Sequence, residues 1–522
     1  MIKWKRNLFV IMILSLITVM ATACSSSDTS EKATDTYADY VPDTETIYGY
    51  IEDLAAIGER QSGTEGGIEA QEYLMDKFEE YGLEDIHVIQ TETDVWECDD
   101  WKLEIEGQEI DSYRMYMTLF DGKYEVNGDG ELKKDEDGNT YKGGGTYGTF
   151  STSDEGNVED AEIIYVESAE DIEAMDDADI EGKVVVSNIK SLYDEPTEYY
   201  AAQEKGAVAF VGILSEYFDS NKYNPEDVTY VNGSFLIPGY YVTANEGDDI
   251  ISTIEKAEKS DGAAEAHFEM TVTVERTDAA GSVVGILPGS EDGDGKMIMV
   301  SSHYDSMTPE GATQDASGCS EVLALANFFS QIPQEDRARG ILFVLNDTHD
   351  SDYDAHDNVV AEYLAGEWND EACQVVPNSE ESDVLADICV EHISEEAVIT
   401  DDNELEFTGN VSYRYAAVTG TDELVDIVSS AIENLKDEEE TGLTEITELE
   451  VGDELVSDAD FFWCYGYGIP VVSFISAQPY MYDDCDTLDK VPQRALVPVA
   501  ESLANITWDF MNLDEAAFTI EE

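Results

Sequence analysis

The 522-residue sequence predicts an α/β fold, in which a mixed, largely parallel central sheet is flanked by helices and a smaller α/β unit is inserted. Three observations lead to this prediction. From residue 282 onward, short apolar runs alternate with amphipathic helical patterns. The middle of the chain has a strand and helix pattern of its own. Three of the six histidines stand at or next to the ends of apolar runs that have the length of strands.

The N-terminus has the pattern of an export signal. Basic residues precede an apolar run at 8–20, and Ala-Thr-Ala at 21–23 suits a signal peptidase, so we expect residues 1–23 to be a signal peptide. Cys24 then resembles the acylated cysteine of bacterial lipoproteins, which predicts an exported, lipid-anchored protein at the bacterial cell surface. The alternative is ordinary secretion after cleavage behind Ala23. Residues 24–45, rich in Ser, Thr and Asp, are expected to be a flexible tether.

The composition excludes one class of partner. The chain has 26 Lys+Arg against 118 Asp+Glu, a formal net charge of −92. Such a surface repels the phosphate backbone that dominates nucleic-acid affinity, so we expect no nucleic-acid partner. A calcium-loaded acidic protein is a further alternative, but the acidic runs lack the Asp-x-Asp-x-Asp-Gly pattern of a calcium loop.

The predicted elements divide the chain into a main domain in two parts, 46–145 and 276–515, and an insert at 146–275. In the first part, residues 46–81 have the pattern of two helices separated by a glycine-containing turn, and short strands follow from about residue 88. In the second part, the predicted strands are 297–300, 341–345 and 470–474, and the predicted helices are 322–329 and 499–510.

The insert carries three segments that resemble, in order and spacing, the protease-associated domain of many exopeptidases. These are Ile-Glu-Gly-Lys-Val-Val at 180–185, a helix end and strand at 201–209, and Ile-Pro-Gly-Tyr-Tyr-Val at 237–242. The resemblance implies a small α/β module that controls substrate access and has no catalytic residues.

Six cysteines follow Cys24. Their spacings match no zinc knuckle, so a cysteine metal cluster is not expected. A disulfide is permitted outside the cell, and Cys464 with Cys485 is the candidate pair; buried free cysteines are the alternative.

A candidate metal site begins at His303. It ends an apolar run, and Asp315 stands just before the next predicted helix. Because sites in open α/β sheets form at the carboxyl ends of strands, these two side chains can converge on one cation. If a second ion is present, Asp315 is placed to bridge the two.

Six short motifs are spread along the chain. They are Gly-Glu-Arg-Gln-Ser-Gly-Thr at 58–64, Val-Gly-Ile-Leu-Pro-Gly at 284–289, His-Tyr-Asp-Ser at 303–306, Gly-Ala-Thr-Gln-Asp-Ala-Ser-Gly at 311–318, Gly-Ile-Pro-Val-Val at 468–472 and Cys-Asp-Thr-Leu-Asp at 485–489. Together they resemble the two-zinc aminopeptidases related to glutamate carboxypeptidase and the transferrin receptor. The resemblance implies the zinc exopeptidase fold over nearly all of the mature chain.

The resemblance implies site residues one by one. His303 matches a metal ligand and Asp315 the bridging carboxylate, although Gln314 replaces the first of two paired aspartates. The family has a Glu-Glu pair after the next strand, and here His349 and Asp350 stand in those positions. His349 is therefore expected to be the general base and Asp350 a metal ligand.

The remaining ligand positions are unusual. Either Glu391 or His392 can occupy the next ligand position, and Glu391 is preferred. Tyr482 stands where the family has its last histidine ligand, although a phenol is not among the usual zinc ligands. Further candidates for a supporting or alternative ligand role are Asp305, and Asp458 or Asp460, between which the spacing does not decide.

The sequence therefore predicts an extracellular metallo-aminopeptidase with an atypical metal site. It is expected to bind one or two zinc ions, to act on peptides, and to be attached to the membrane through Cys24. The alternative is a non-catalytic, peptide-binding surface lipoprotein derived from the same fold. The sequence makes no prediction of the oligomeric state.

Overall fold

The computed structural model describes residues 32–110, 112–114, 158–189, 197–214, 237–260, 262–349, 354–369, 374–400, 405–436, 443–449, 455, 457–464, 468–476, 478–480 and 485–520. Four predicted features lie outside the described residues: the signal peptide at 1–23, the lipidation site Cys24, and the metal-ligand candidates Asp350 and Tyr482. The domain boundaries likewise stay predictions.

The described residues form helices and strands in the predicted alternation. The helices are α1 Ala33–Thr36, α2 Thr44–Ile57, α3 Glu65–Glu80, α4 Ala169–Ala174, α5 Thr197–Glu204, α6 Ala244–Glu258, α7 Ser317–Ser330, α8 Asp354–Tyr363, α9 Asp422–Ala431, α10 Asp460–Trp463 and α11 Gln493–Met511. The strands are β1 Glu84–Ile105, β2 Gln108–Ile110, β3 Tyr113–Arg114, β4 Val158–Tyr165, β5 Val184–Ile189, β6 Ala209–Leu214, β7 Gly239–Thr243, β8 Ala264–Leu287, β9 Met297–His303, β10 Gly340–Asn346, β11 Glu367–Asn369, β12 Gln374–Val376, β13 Val384–Val390, β14 Glu395–Ile399, β15 Leu405–Val411, β16 Arg414–Val418, β17 Leu443–Glu448 and β18 Val471–Ser476.

The centre of the main sheet is parallel, as predicted. The order is β17-β16-β18-β13-β9-β10-β8, and β10, β9, β13 and β18 run parallel to one another. The residues of β10, β13 and β18 are all buried, which is typical of strands covered on both faces by helices. The predicted mixed α/β class is confirmed.

Helices cover both faces of this sheet. Alternate residues of β9 face opposite sides: Ile298 and Val300 pack with α2, α3, α7 and α11, whereas Met299 packs with α8 and α10. Side-chain caps fix where the first helices begin. Asp43 accepts a hydrogen bond from the backbone N–H of Thr46, and Thr64 accepts one from Gly67.

The middle of the chain builds a second α/β unit with its own apolar core. Strands β4, β5, β6 and β7 are parallel neighbours, with α5 and α6 among the helices of this unit. The long strands β1 and β8 pair with each other along most of their length. Strand β8 pairs with β10 at one end and with β4 at the other, and so belongs to both units.

The cysteines and the helix lengths bear on two of the predictions. The candidate disulfide is wrong, because Cys464 and Cys485 are both free cysteines. Within the described ranges, no helix combines the length and the hydropathy that crossing a bilayer requires.

A buried arginine fixes the chain that leads into the site. Arg60 is fully buried, and its guanidinium donates hydrogen bonds to backbone carbonyls on both sides of it. Its Nε donates to Tyr304 at 2.9 Å, Nη1 to Glu310 at 2.8 Å and Nη2 to Gly311 at 2.9 Å. One side chain therefore ties the segment after α2 to the loop that follows β9.

We expect Arg60→Met to lower the free energy of unfolding by at least about 3 kcal/mol, because several buried carbonyls lose their donor and each costs about 1–3 kcal/mol. Urea denaturation measures this change. The matched control is Arg494→Met at an exposed arginine that donates to the carbonyl of Gly409. Equal shifts in the two variants would contradict the role given to Arg60.

Candidate metal centre

The candidate site lies along one edge of the main sheet. His303 ends β9, Asn346 ends β10, Val390 ends β13 and Ser476 ends β18. Because these strands are parallel, their carboxyl ends meet at the same edge, and the loops that follow them carry the predicted site residues.

The pair formed by His303 and Asp315 is the centre of this edge. Both side chains are fully buried, and Nε2 of His303 lies 4.0 Å from Oδ2 of Asp315. Zinc binds His nitrogen and carboxylate oxygen at about 2.0–2.2 Å in a tetrahedral arrangement, so these two atoms could hold one ion after approaching each other by less than roughly 1 Å. On the other side of the ring, Oδ1 of Asp305 lies 3.3 Å from Nδ1 of His303. This contact orients the imidazole, as carboxylates behind metal-bound histidines do.

Asp315 is held in place through both of its oxygens. Oδ1 accepts the backbone N–H of Gly318 at 2.9 Å and of His392 at 3.0 Å, and Oδ2 accepts the hydroxyl of Ser302 at 2.7 Å. Asp486 holds the preceding turn, because its carboxylate accepts two consecutive backbone N–H groups at 313 and 314. Burial raises the pKa of Asp315 to about 7 despite these hydrogen bonds.

A second cluster stands directly beside this pair. The rings of His303 and His349 are stacked, with centroids 3.7 Å apart and an interplanar angle of 6°. Nδ1 of His349 makes a close contact with Oδ1 of Asp458, and Nε2 of His356 lies 2.8 Å from Oδ2 of the same carboxylate. One buried carboxylate therefore lies between two imidazoles.

The remaining candidates have different positions. Glu391 is buried, and its Oε1 accepts the backbone N–H of Asp458 at 2.9 Å. The other oxygen of Glu391, Oε2, has no hydrogen-bond partner in the part of the chain that the structure describes. Nδ1 of His392 lies 2.8 Å from the carbonyl oxygen of Ser476. Asp460, at the start of α10, accepts a hydrogen bond from the backbone N–H of Leu455. The structure thus places Asp458, rather than Asp460, at the site.

The pKa values of the two neighbouring acids at this edge are shifted in opposite directions. Burial alone would raise the pKa of Asp458, but His356 and His349 outweigh burial and hold that pKa well below its usual value. Burial and the charge of Asp458 together raise the pKa of Glu391 well above its usual value.

A family comparison covers the segment that carries the centre of this site. Residues 282–365, from the end of β8 through α8, match the model of Peptidase family M28. This range contains His303, Asp315 and His349. This segment is similar to Peptidase family M28. The resemblance stated from the sequence is confirmed, and the predicted enzyme class, a metal-dependent peptidase and thus a hydrolase, is supported by this match.

Solved structures share the fold of this protein. The chain is similar to a peptidase M28 precursor from Shewanella amazonensis, with 17% identity, a TM-score of 0.63 and coverage of 92% of this chain and 97% of that one. It is also similar to the zinc aminopeptidase BSAP from Bacillus subtilis, with 14% identity, a TM-score of 0.61 and coverage of 92% and 100%. The chain is similar as well to an aminopeptidase from Aneurinibacillus sp. strain AM-1, with 16% identity, a TM-score of 0.57 and coverage of 93% of this chain and 97% of that one. At these identities the likeness establishes the fold. No curated protein sequence matches the chain.

Sequence reasoning missed one residue of the candidate site. His356 was not among the predicted ligands, because it stands in the first turn of α8 rather than at the end of a strand. Its spacing of seven residues from His349, at the start of a helix whose next turn buries Val359 and Val360, was the available signal.

Gly318 leaves space for the carboxylate of Asp315, so a substitution there tests how that carboxylate is positioned. A Cβ added at Gly318 would overlap Oδ2 of Asp315 and the backbone oxygen of Val390. We therefore expect Gly318→Ala to cost about 1–3 kcal/mol of stability and to weaken zinc binding, because overpacking displaces the carboxylate. The control is Gly49→Ala in α2, where a Cβ meets nothing within 4 Å. Urea denaturation and zinc titration of both variants check this, and an unchanged zinc affinity in Gly318→Ala would contradict it.

The raised pKa of Asp315 predicts a pH dependence. Between about pH 4, its usual pKa, and about pH 7, the folded chain holds a proton that the unfolded chain has released. In the presence of a chelator, this contribution to stability is complete below the unfolded pKa and is lost as the pH rises through 7. Asp315→Asn removes the contribution, and zinc reduces it because a cation favours the carboxylate. Urea denaturation at pH 5 and pH 8 measures it; the same pH dependence in the variant would contradict the assignment.

Proposed function

We propose that the protein is an exported, metal-dependent aminopeptidase that removes N-terminal residues from peptides outside the cell. The observation that carries the proposal is the buried pair of His303 Nε2 and Asp315 Oδ2, 4.0 Å apart at the carboxyl edge of the sheet and inside the range that matches Peptidase family M28. Two of the similar folds are described as aminopeptidases, one of them as a zinc aminopeptidase, which supports the same substrate class.

The proposed metal ligands follow from the donor atoms. His303 and Asp315 would hold one zinc ion, with Glu391 and Asp350 as further ligands and Tyr482 at an atypical last position. Zinc bound there would polarise a peptide carbonyl and lower the pKa of a water molecule. The unpartnered Oε2 of Glu391 is consistent with this, because a buried carboxylate oxygen without a donor is costly unless a cation or proton compensates it.

The residues of this chain have separate tasks in the proposal. Asp305 fixes the tautomer of His303 by accepting from Nδ1, which directs Nε2 towards Asp315. Ser302 and the backbone N–H groups on Asp315 keep that carboxylate at the ion. Burial of all these groups excludes water, so their electrostatic interactions are stronger than on the surface.

One group at this edge can accept the proton of the attacking water. His349, the base expected from the sequence, can do so through Nε2 while Nδ1 donates to Asp458.

The location and the accessory unit complete the proposal. A lipid on Cys24 would hold the enzyme at the bacterial cell surface, with residues 24–45 as the tether. The α/β unit between β4 and β7 would serve as a protease-associated domain that limits access to the site. The order of its four parallel strands and its separate core support this role.

Hydrolysis of aminoacyl chromogenic substrates tests the function. We expect zinc-dependent turnover that a chelator abolishes and added zinc restores. Asp315→Asn should lose at least about 100-fold in kcat/KM, because an ion contributes several kcal/mol to transition-state stabilisation. The control Asp248→Asn, at an exposed position of α6, should keep full activity. If the zinc-loaded protein binds peptides without cleaving them, it is the non-catalytic surface lipoprotein instead.

A further inference from the structure

The cluster of His349, His356 and Asp458 has the composition of a metal site. Among the residues that the structure describes, it is the one group of three His, Cys, Asp or Glu side chains whose candidate ligand atoms all lie within 4.8 Å of one another. The three side chains come from three separate segments: the loop after β10, the first turn of α8 and the turn before α10. All three are buried, with exposures of 5% or less.

Electrostatics favours a cation at this place. Eight carboxyl side chains are buried in the described part of the chain, and seven of them are linked by hydrogen bonds or electrostatic contacts to the site edge: Asp305, Asp315, Asp347, Asp387, Glu391, Asp458 and Asp486. The ion pairs of Asp458 in the described ranges are with histidines alone. A buried ionised carboxylate requires compensating positive charge, and a divalent ion would supply more of it than two imidazoles.

The donor set also selects the class of ion. Two imidazole nitrogens with one carboxylate are a known ligand set for zinc, whereas calcium and magnesium prefer oxygen ligands alone. Ligand atoms around a tetrahedral zinc ion lie about 3.3 Å apart, so the ring nitrogens of His349 and His356 would move outwards from Asp458 by roughly 1 Å or less. Rotation of the two rings about their side-chain torsions can provide this.

We propose that His349, His356 and Asp458 bind a zinc-class divalent cation beside the ion held by His303 and Asp315. The stacked rings of His303 and His349 place the two positions next to each other. The inference that the two ions act together depends on the proposed function, whereas binding at the cluster does not.

Occupancy decides the role of His349. The lone pair of Nδ1 cannot bind a cation and carry the proton that is donated to Asp458 at the same time. With the ion bound, His349 is a ligand, and Nε2 keeps its proton. His349 then cannot accept the proton of the attacking water.

Metal counting on the purified full chain tests the proposal. The chain is stripped with a chelator, equilibrated with zinc and analysed for zinc per chain, and Co²⁺ is used as a spectroscopic probe of coordination. The variants are His356→Ala, His356→Gln and His303→Ala. The control is His267→Ala, which removes a histidine from a salt bridge with Glu269 in β8. Circular dichroism establishes that each variant is folded.

We expect two zinc ions in the wild type and the control, and the loss of one ion in each of the His356 and His303 variants. The Co²⁺ spectrum should lose a different component in His356→Gln than in His303→Ala. If both His356 variants fold and keep the zinc content and spectrum of the wild type, the cluster is a hydrogen-bonded network only and the proposal is overturned. If substitution of His356 removes an ion but the zinc-loaded wild type cleaves no peptide, the cluster site stands and the proposed aminopeptidase activity fails.

Discussion

The carboxyl edge of the parallel sheet concentrates negative charge where water cannot solvate it. Asp315, Glu391 and Asp458 are all buried there, although a buried charge is costly unless a cation or a proton compensates it. The surroundings respond to this cost in two ways. The two imidazoles outweigh burial and hold the pKa of Asp458 well below its usual value, whereas burial and the charge of Asp458 raise the pKa of Glu391 well above its usual value. The metal ion proposed above would compensate the charge in a third way.

Much of the surrounding architecture serves this constraint. Arg60 brings the segment after α2 and the loop after β9 together, and Asp486 holds the turn that precedes Asp315. Gly318 leaves room for the carboxylate because it has no side chain. These residues belong to motifs at 58–64, 311–318 and 485–489 that are far apart in the sequence, so the motifs are explained by their shared contacts with a single loop.

The sequence predicted what depends on local pattern. Continuous apolar runs gave β9, β10 and β18, and the position after each run placed His303 and His349 at one edge. The pairing of strands that are far apart in the sequence was not predicted. Residues 88–105 suggested short strands but belong to one strand of 22 residues, because β8 pairs with it across three register shifts. The disulfide between Cys464 and Cys485 was wrong because spacing carries no information about distance. His356 was missed because it stands in the first turn of α8 and not at the end of a strand.

X-ray absorption spectroscopy of the zinc-loaded protein at the zinc edge tests the central claim most directly. The account predicts a shell of nitrogen and oxygen donors at about 2.0–2.2 Å, with the multiple scattering of at least two imidazoles, because His303, His349 and His356 surround the buried carboxylates. A sulfur shell at about 2.3 Å would instead assign the metal to cysteines such as Cys319 or Cys389. That result, or a shell of oxygen atoms alone, would contradict the account.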